Sequence, residues 1–179
     1  MIYIFLADGF EECEALAPID ILRRENIEIK TVGVTSKTVT GAHGIPIVCD
    51  LETNEISTAN LDGIILPGGM PGTLNLEKDK TVSEFIDFCS KNNKLICAIC
   101  AAPSILGHKN LLNSKFATCY PGFENELLGA KISDQSVVTD GNIITACGAG
   151  AAFEFGFSIL TYLKNKEAAD KLKIQMRFN

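Results

Sequence analysis

Lys94-Leu95-Ile96-Cys97-Ala98-Ile99-Cys100-Ala101-Ala102-Pro103-Ser104-Ile105-Leu106-Gly107 is the stretch whose reading decides the fold. Leu95 to Ile99 is an apolar run of strand length, as expected for a strand covered on both faces. From Ala101 the apolar spacing turns helical through Ala102, Ile105 and Leu106, and Pro103 is tolerated only in the first turn of a helix. Cys100 falls at the junction. A sharp strand-to-helix turn lifts its middle side chain clear of the sheet and aims the helix's free N–H groups at it. The spacing therefore predicts a nucleophile elbow built on cysteine, with a thiol pKa lowered by the helix dipole. The competing reading, cysteine as small apolar filler, suits the six other cysteines better.

Working outward, the chain alternates strand and helix patterns. Ile2 to Ala7 reads as a strand and Asp8-Gly9-Phe10 as the loop at its carboxyl end. Glu11-Glu12-Cys13-Glu14 opens a helix to about Glu25, with acids in its first turn and Arg23-Arg24 in its last. Pro18 lies inside that helix and predicts a kink or a free carbonyl at Glu14. Ile27 to Thr35 is a second strand, and Val39 to Asp50 reads as a hairpin or edge strands. Asp62 to Leu66 is a buried strand ending in Pro67-Gly68-Gly69-Met70-Pro71-Gly72, a loop whose glycines let backbone approach a ligand. Val82 to Ser90 has helical spacing, and Phe116 to Cys119 reads as a short strand before Tyr120-Pro121-Gly122. Asp140-Gly141 predicts a hairpin turn, Gly148-Ala149-Gly150 a tight turn, and Ala151 to Leu163 and Lys166 to Gln175 two closing helices. This alternation implies a mostly parallel sheet with helices on both faces, which binds ligands at the strands' carboxyl ends. Asp8 to Glu14, Gly68-Gly69 and Cys100 all fall at such ends.

The totals set bounds. The 179 residues suit one domain, 1–179, with a sizeable core. A net charge of −6 argues against nucleic acid or an anionic membrane as partner. Met1 to Ala7 lacks the basic flank of a secretory leader, and no apolar run approaches a membrane span. Seven cysteines, an odd number mostly within apolar strands, point to free thiols in a reducing cytoplasm.

Glu11-Glu12-Cys13-Glu14, Leu66-Pro67-Gly68-Gly69, Ala98-Ile99-Cys100-Ala101-Ala102-Pro103 and Phe153-Glu154-Phe155 resemble the ThiJ/PfpI superfamily, nearest its Parkinsonism-associated deglycase branch. The resemblance runs over nearly the whole chain. It implies a flavodoxin-like α/β three-layer sandwich with the elbow of class I glutamine amidotransferases, and a homodimer. It also implies a reactive Cys100 beside a protonated Glu14, with the amides of Gly69 and Ala101 as anion-stabilising donors and Gly68 beside them. Physics is consistent with this, since a carboxyl buried beside an incipient thiolate is raised in pKa and donates to sulfur.

Two departures stand out. The deglycase branch carries histidine before Pro121, where this chain has Tyr120, a poor base at neutral pH, next to Cys119. The protease-like branch has histidine directly after its cysteine, where this chain has Ala101. Of the two histidines, His108 lies two turns along the elbow helix, about 12 Å from Cys100. His43 sits in the Gly41-Ala42-His43-Gly44 turn, which matches a region that approaches the family's pocket. Cys97-Ala98-Ile99-Cys100 has the C-x-x-C form, but Cys97 is within the strand and its odd offset predicts the opposite face. Cys119 and Cys147 end other strands and are candidate resolving thiols.

The expected activity, carried by the resemblance, is cysteine-dependent chemistry on reactive carbonyls: a protein or nucleotide deglycase, or a glyoxalase converting methylglyoxal to lactate. Its partner is a small aldehyde or glycated substrate, bound by Gly68, Tyr120, Cys119 and His43, without metal or cofactor. The alternative is a redox sensor or stress chaperone that uses Cys100 oxidation. An amidotransferase-like hydrolase or peptidase ranks below both, because no histidine suits its triad.

Overall fold

The computed structural model describes residues 1–178. Its strands are β1 (Ile2–Leu6), β2 (Ile29–Gly33), β3 (Thr38–Thr40), β4 (Pro46–Val48), β5 (Leu51–Glu52), β6 (Gly63–Leu66), β7 (Leu95–Ile99), β8 (Phe116–Ala117), β9 (Lys131–Ile132), β10 (Val137–Asp140) and β11 (Ile143–Ala146). Its helices are α1 (Glu12–Arg24), α2 (Gly72–Lys78), α3 (Lys80–Lys91), α4 (Pro103–His108), α5 (Ala152–Leu163) and α6 (Lys166–Gln175). Seven strands form the central sheet in the order β10-β11-β7-β6-β1-β2-β5. Every pairing in it is parallel except β10 with β11.

Alternation along the strands divides the core in two. Ile2, Ile4, Leu6, Leu95, Cys97 and Ile99 face α1, α5 and α6. Tyr3, Phe5, Ile96 and Ala98 face α2, α3 and α4. Two apolar faces each covered by helices make the three-layer α/β sandwich, flavodoxin-like in class. The chain runs outward from β1 to β2 and then returns to place β6 on the other side of β1. The switch point therefore lies between β1 and β6, where an open α/β sheet leaves a crevice at its carboxyl edge.

Asparagine ends three of the helices. Asn26, Asn93 and Asn110 have φ of 57°, 51° and 58°. The following amides reach back to Leu22, Cys89 and Leu106, at 3.0, 2.8 and 3.0 Å. These are Schellman endings with asparagine in the left-handed position that glycine more often takes.

Three sequence expectations are corrected. Gly72–Lys78 is a helix, unforeseen because its start at Gly72 follows directly on a loop of prolines and glycines. The strand expected over Phe116 to Cys119 pairs only at Phe116 and Ala117, with β9 and outside the main sheet. Helix α1 runs on past Pro18, which has no N–H to give the Glu14 carbonyl, as expected; a Cβ at Gly156 of α5 would lie 3.1 Å from the Pro18 Cα, so the two helices pack closely there. Finally, Cys100 packs against the cluster that contains Cys97, not the opposite one. Its φ of 66° takes it out of the strand's alternation.

Candidate active site

The crevice is assembled from the carboxyl ends of β1, β6 and β7. Beyond β1, the Asp8 carboxylate accepts from the Thr40 N–H at 2.8 Å, and the Gly9 N–H donates to the Thr40 carbonyl at 2.8 Å. The β3–β4 hairpin is thereby fastened to the loop that leads into α1. Within the first turn of α1, Glu14 turns inward and is 1% exposed. Its Oε2 accepts from the Gly68 N–H at 2.8 Å, and the Gly68 carbonyl accepts from the Glu11 N–H at 2.9 Å.

Cys100 sits at the elbow in the left-handed region, a conformation that costs a non-glycine residue on the order of 1–3 kcal/mol. Its N–H donates to the Ala146 carbonyl at 2.9 Å, and its carbonyl accepts from the Tyr120 N–H at 2.8 Å. The end of β11 and the loop that follows β8 therefore hold the strained turn. Gly68 is what allows sulfur and carboxyl to meet. A Cβ there would stand 2.5 Å from the Cys100 Cβ and 2.6 Å from the Glu14 Oε2. The Cys100 thiol hydrogen-bonds to Glu14, and the N–H groups of Gly69 and Ala101 both donate to its sulfur.

Burial pushes the Glu14 carboxyl up to about 7, aided by the charge of Glu11, although bonds to Cys100 and Gly68 oppose the rise. The lowered thiol pKa expected from the sequence is not found. Burial, followed by the charge and hydrogen bond of Glu14, pushes the Cys100 thiol up to about 12, against the pull of the Gly69 and Ala101 amides. Two features weaken the expected dipole effect: α4 begins only at Pro103, and it has six residues. The sulfur and the carboxyl compete for one negative charge. While Glu14 is ionised the thiol keeps its proton; a protonated Glu14 ceases to repel the sulfur and donates to it.

Of the other candidate residues, only Tyr120 bonds to Cys100, through its backbone N–H. Tyr120 is half-exposed, with its ring 3.2 Å from where a Cβ of Gly148 would sit. Cys119 is buried and Cys147 half-buried. His43 is bonded to the start of α1: its N–H and Nδ1 lie 2.9 Å from the Glu12 carboxylate, and its Nδ1 lies 3.5 Å from Glu11. Bonding to Glu12 raises the His43 imidazole. Burial alone would raise the Glu12 carboxyl, but the bonds from His43 and Ile45 outweigh it and draw the pKa down. This cluster is closed on itself by hydrogen bonds and reads as an ion pair, not a metal site. His108 is bonded to Glu77 and Glu126, apart from Cys100.

Glu12, buried against the hairpin, was missed in the sequence. Three glutamates within four residues do not reveal which turn inward, and Gly41, whose Cβ would lie 2.3 Å from the Glu12 carboxyl, was the available signal.

A parallel α/β sandwich with a strained cysteine elbow and a buried carboxyl against its sulfur defines a class of cysteine-centred α/β proteins. Residues 1–162 match the DJ-1/PfpI family, and the chain belongs to that family. It is 31% identical over 172 residues to the dj-1beta protein of Drosophila melanogaster, covering 94% of this chain and 92% of that one. It is likewise 31% identical over 164 residues to a glutathione-independent glyoxalase of Caenorhabditis elegans, covering 90% and 87%. Among solved structures, a cysteine-to-alanine mutant of a DJ-1 superfamily protein from Salmonella typhimurium superposes with a TM-score of 0.94 at 31% identity, over 99% and 98% of the two chains. Oxidized DJ-1 of Toxoplasma gondii gives 0.94 at 28% identity, over 99% and 97%.

Proposed function

We propose that this protein is a cofactor-independent, cysteine-dependent enzyme acting on small reactive carbonyl compounds such as methylglyoxal, or on the glycated adducts they form. The observation that carries this reading is the Cys100–Glu14 pair: a nucleophile hydrogen-bonded to a carboxyl that burial holds near neutrality. Glu14 protonates and deprotonates at working pH, as a proton carrier must. The relative named a glutathione-independent glyoxalase supports the reaction class.

The chemistry balances without a metal or redox cofactor. Glu14 takes the proton of the Cys100 thiol as sulfur adds to the aldehyde carbon and passes it to the aldehyde oxygen, whose developing negative charge the Gly69 and Ala101 amides face. Glu14 takes the proton from that carbon and returns one to the neighbouring ketone carbon, which leaves a lactoyl thioester. Water then releases lactate and the thiol, so methylglyoxal plus water equals lactic acid. The test measures lactate formed from methylglyoxal by the wild type and by Cys100→Ser. Turnover is expected in the wild type, with a loss of at least about 100-fold in the variant. A wild type that makes no lactate overturns the reading.

The same surroundings support a second reading, a redox sensor. Two N–H groups and a carboxylic acid around one sulfur also suit a sulfinate, and a relative has been crystallised in an oxidized form. Stoichiometric uptake of oxygen at Cys100 without turnover favours it. We also propose a homodimer: Leu16, Ile45 and Phe153 are exposed apolar residues around one hollow beside α1.

A further inference from the structure

Cys119 and Cys147 take no part in the chemistry proposed for Cys100, yet the fold brings both to one cavity. They line one cavity of about 210 Å³ with Thr118, Pro121, Glu124 and Asp134. Contacts between their two segments bracket them on both sides. Before them, the Thr118 N–H donates to the Thr145 hydroxyl at 3.0 Å. After them, the Tyr120 ring packs against Gly148. Both segments are fastened to the Cys100 backbone as well, one through the Tyr120 N–H and one through the Ala146 carbonyl. Residues 118–120 and 145–148 therefore run side by side with a thiol on each.

We propose that Cys119 and Cys147 form a redox-active dithiol, closed to a disulfide by a hydroperoxide and reopened by a thiol reductant. Cys147, the more exposed thiol, meets the oxidant first: sulfur attacks the peroxide, the O–O bond breaks, and a sulfenic acid and the alcohol of the hydroperoxide (water, from hydrogen peroxide) result. The Cys119 thiolate then attacks that sulfur, the S–O bond breaks, and water leaves. Burial and the nearby Glu124 push the Cys119 thiol up to about 11, so closure quickens as pH rises. The disulfide fixes Tyr120 and Gly148 beside the elbow.

The test is peroxide treatment of the intact wild-type protein, then thiol counting under denaturing conditions and peptide mapping. Two of the seven thiols are expected to disappear, with a Cys119–Cys147 linked peptide and full recovery under dithiothreitol. The same loss is expected in Cys100→Ser, and none in Cys147→Ser. Oxygen added to Cys100 with every other thiol intact overturns the proposal, as does a disulfide that joins Cys100 to either cysteine. The Cys100→Ser arm keeps this result independent of the carbonyl chemistry.

Discussion

Glu14 shows how far one side chain's setting outweighs its kind. A glutamate in the first turn of a helix ordinarily faces water and serves the dipole; here it is 1% exposed and bonded to Gly68 and Cys100. Glu14→Gln should separate nucleophilicity from turnover. Removing the carboxylate takes away the charge that helps to hold the Cys100 thiol high, so iodoacetamide should alkylate Cys100 faster at neutral pH. Lactate formation should nonetheless collapse, because the amide carries no exchangeable acid proton. Alkylation rate and lactate yield, measured on one preparation, check both. The same variant tests linkage. The Glu14 carboxyl is raised from 4.5 to about 7 on folding, so the stability it contributes is present below pH 4.5 and lost as pH rises through about 7. The advantage of Glu14→Gln in melting temperature should therefore be least in acid and grow across that window, as thermal unfolding at a series of pH values would show.

At the scale of elements, helix endings are among the clearest signals. Glu25-Asn26, Asn92-Asn93 and Lys109-Asn110 each close a helix with asparagine at positive φ and an amide reaching back. Asn93→Val should cost about 1–2 kcal/mol, since a β-branched residue resists the left-handed region. Asn93→Gly should match or exceed the wild type; urea unfolding of both variants checks the pair. Strands β1, β6 and β7 were legible because an unbroken apolar run of strand length, stopped by a polar or turn-forming residue, has few other readings. Helix α2 was not, because its first residues are shared with a turn. The elbow's position was legible from the change of period at Cys100, but its electrostatics were not. The thiol's pKa depends on burial and on Glu14, a residue 86 positions earlier, and spacing along the chain carries neither.

The whole molecule gathers its chemistry at the one place where the direction of winding reverses, and that much followed from the order of strand and helix patterns. Partners are another matter, since the surface that meets them is written in exposed residues without a period. Sedimentation equilibrium is expected to give twice the 19.3 kDa chain mass, and Leu16→Glu, which puts a charge in the hollow shared with Ile45 and Phe153, should return a single chain. Among the described residues no helix is long and apolar enough to cross a membrane. The two borders of the central sheet have a consequence for life at high concentration. One border is β5, a strand of two residues that breaks straight into a 3₁₀ turn. At the other, the Asp140 carboxylate of β10 is occupied by the Phe116 N–H and the Lys115 ammonium. With one border two residues long and the other four, a stray extended peptide finds only a short ladder to extend on either side of this isoleucine-rich sheet.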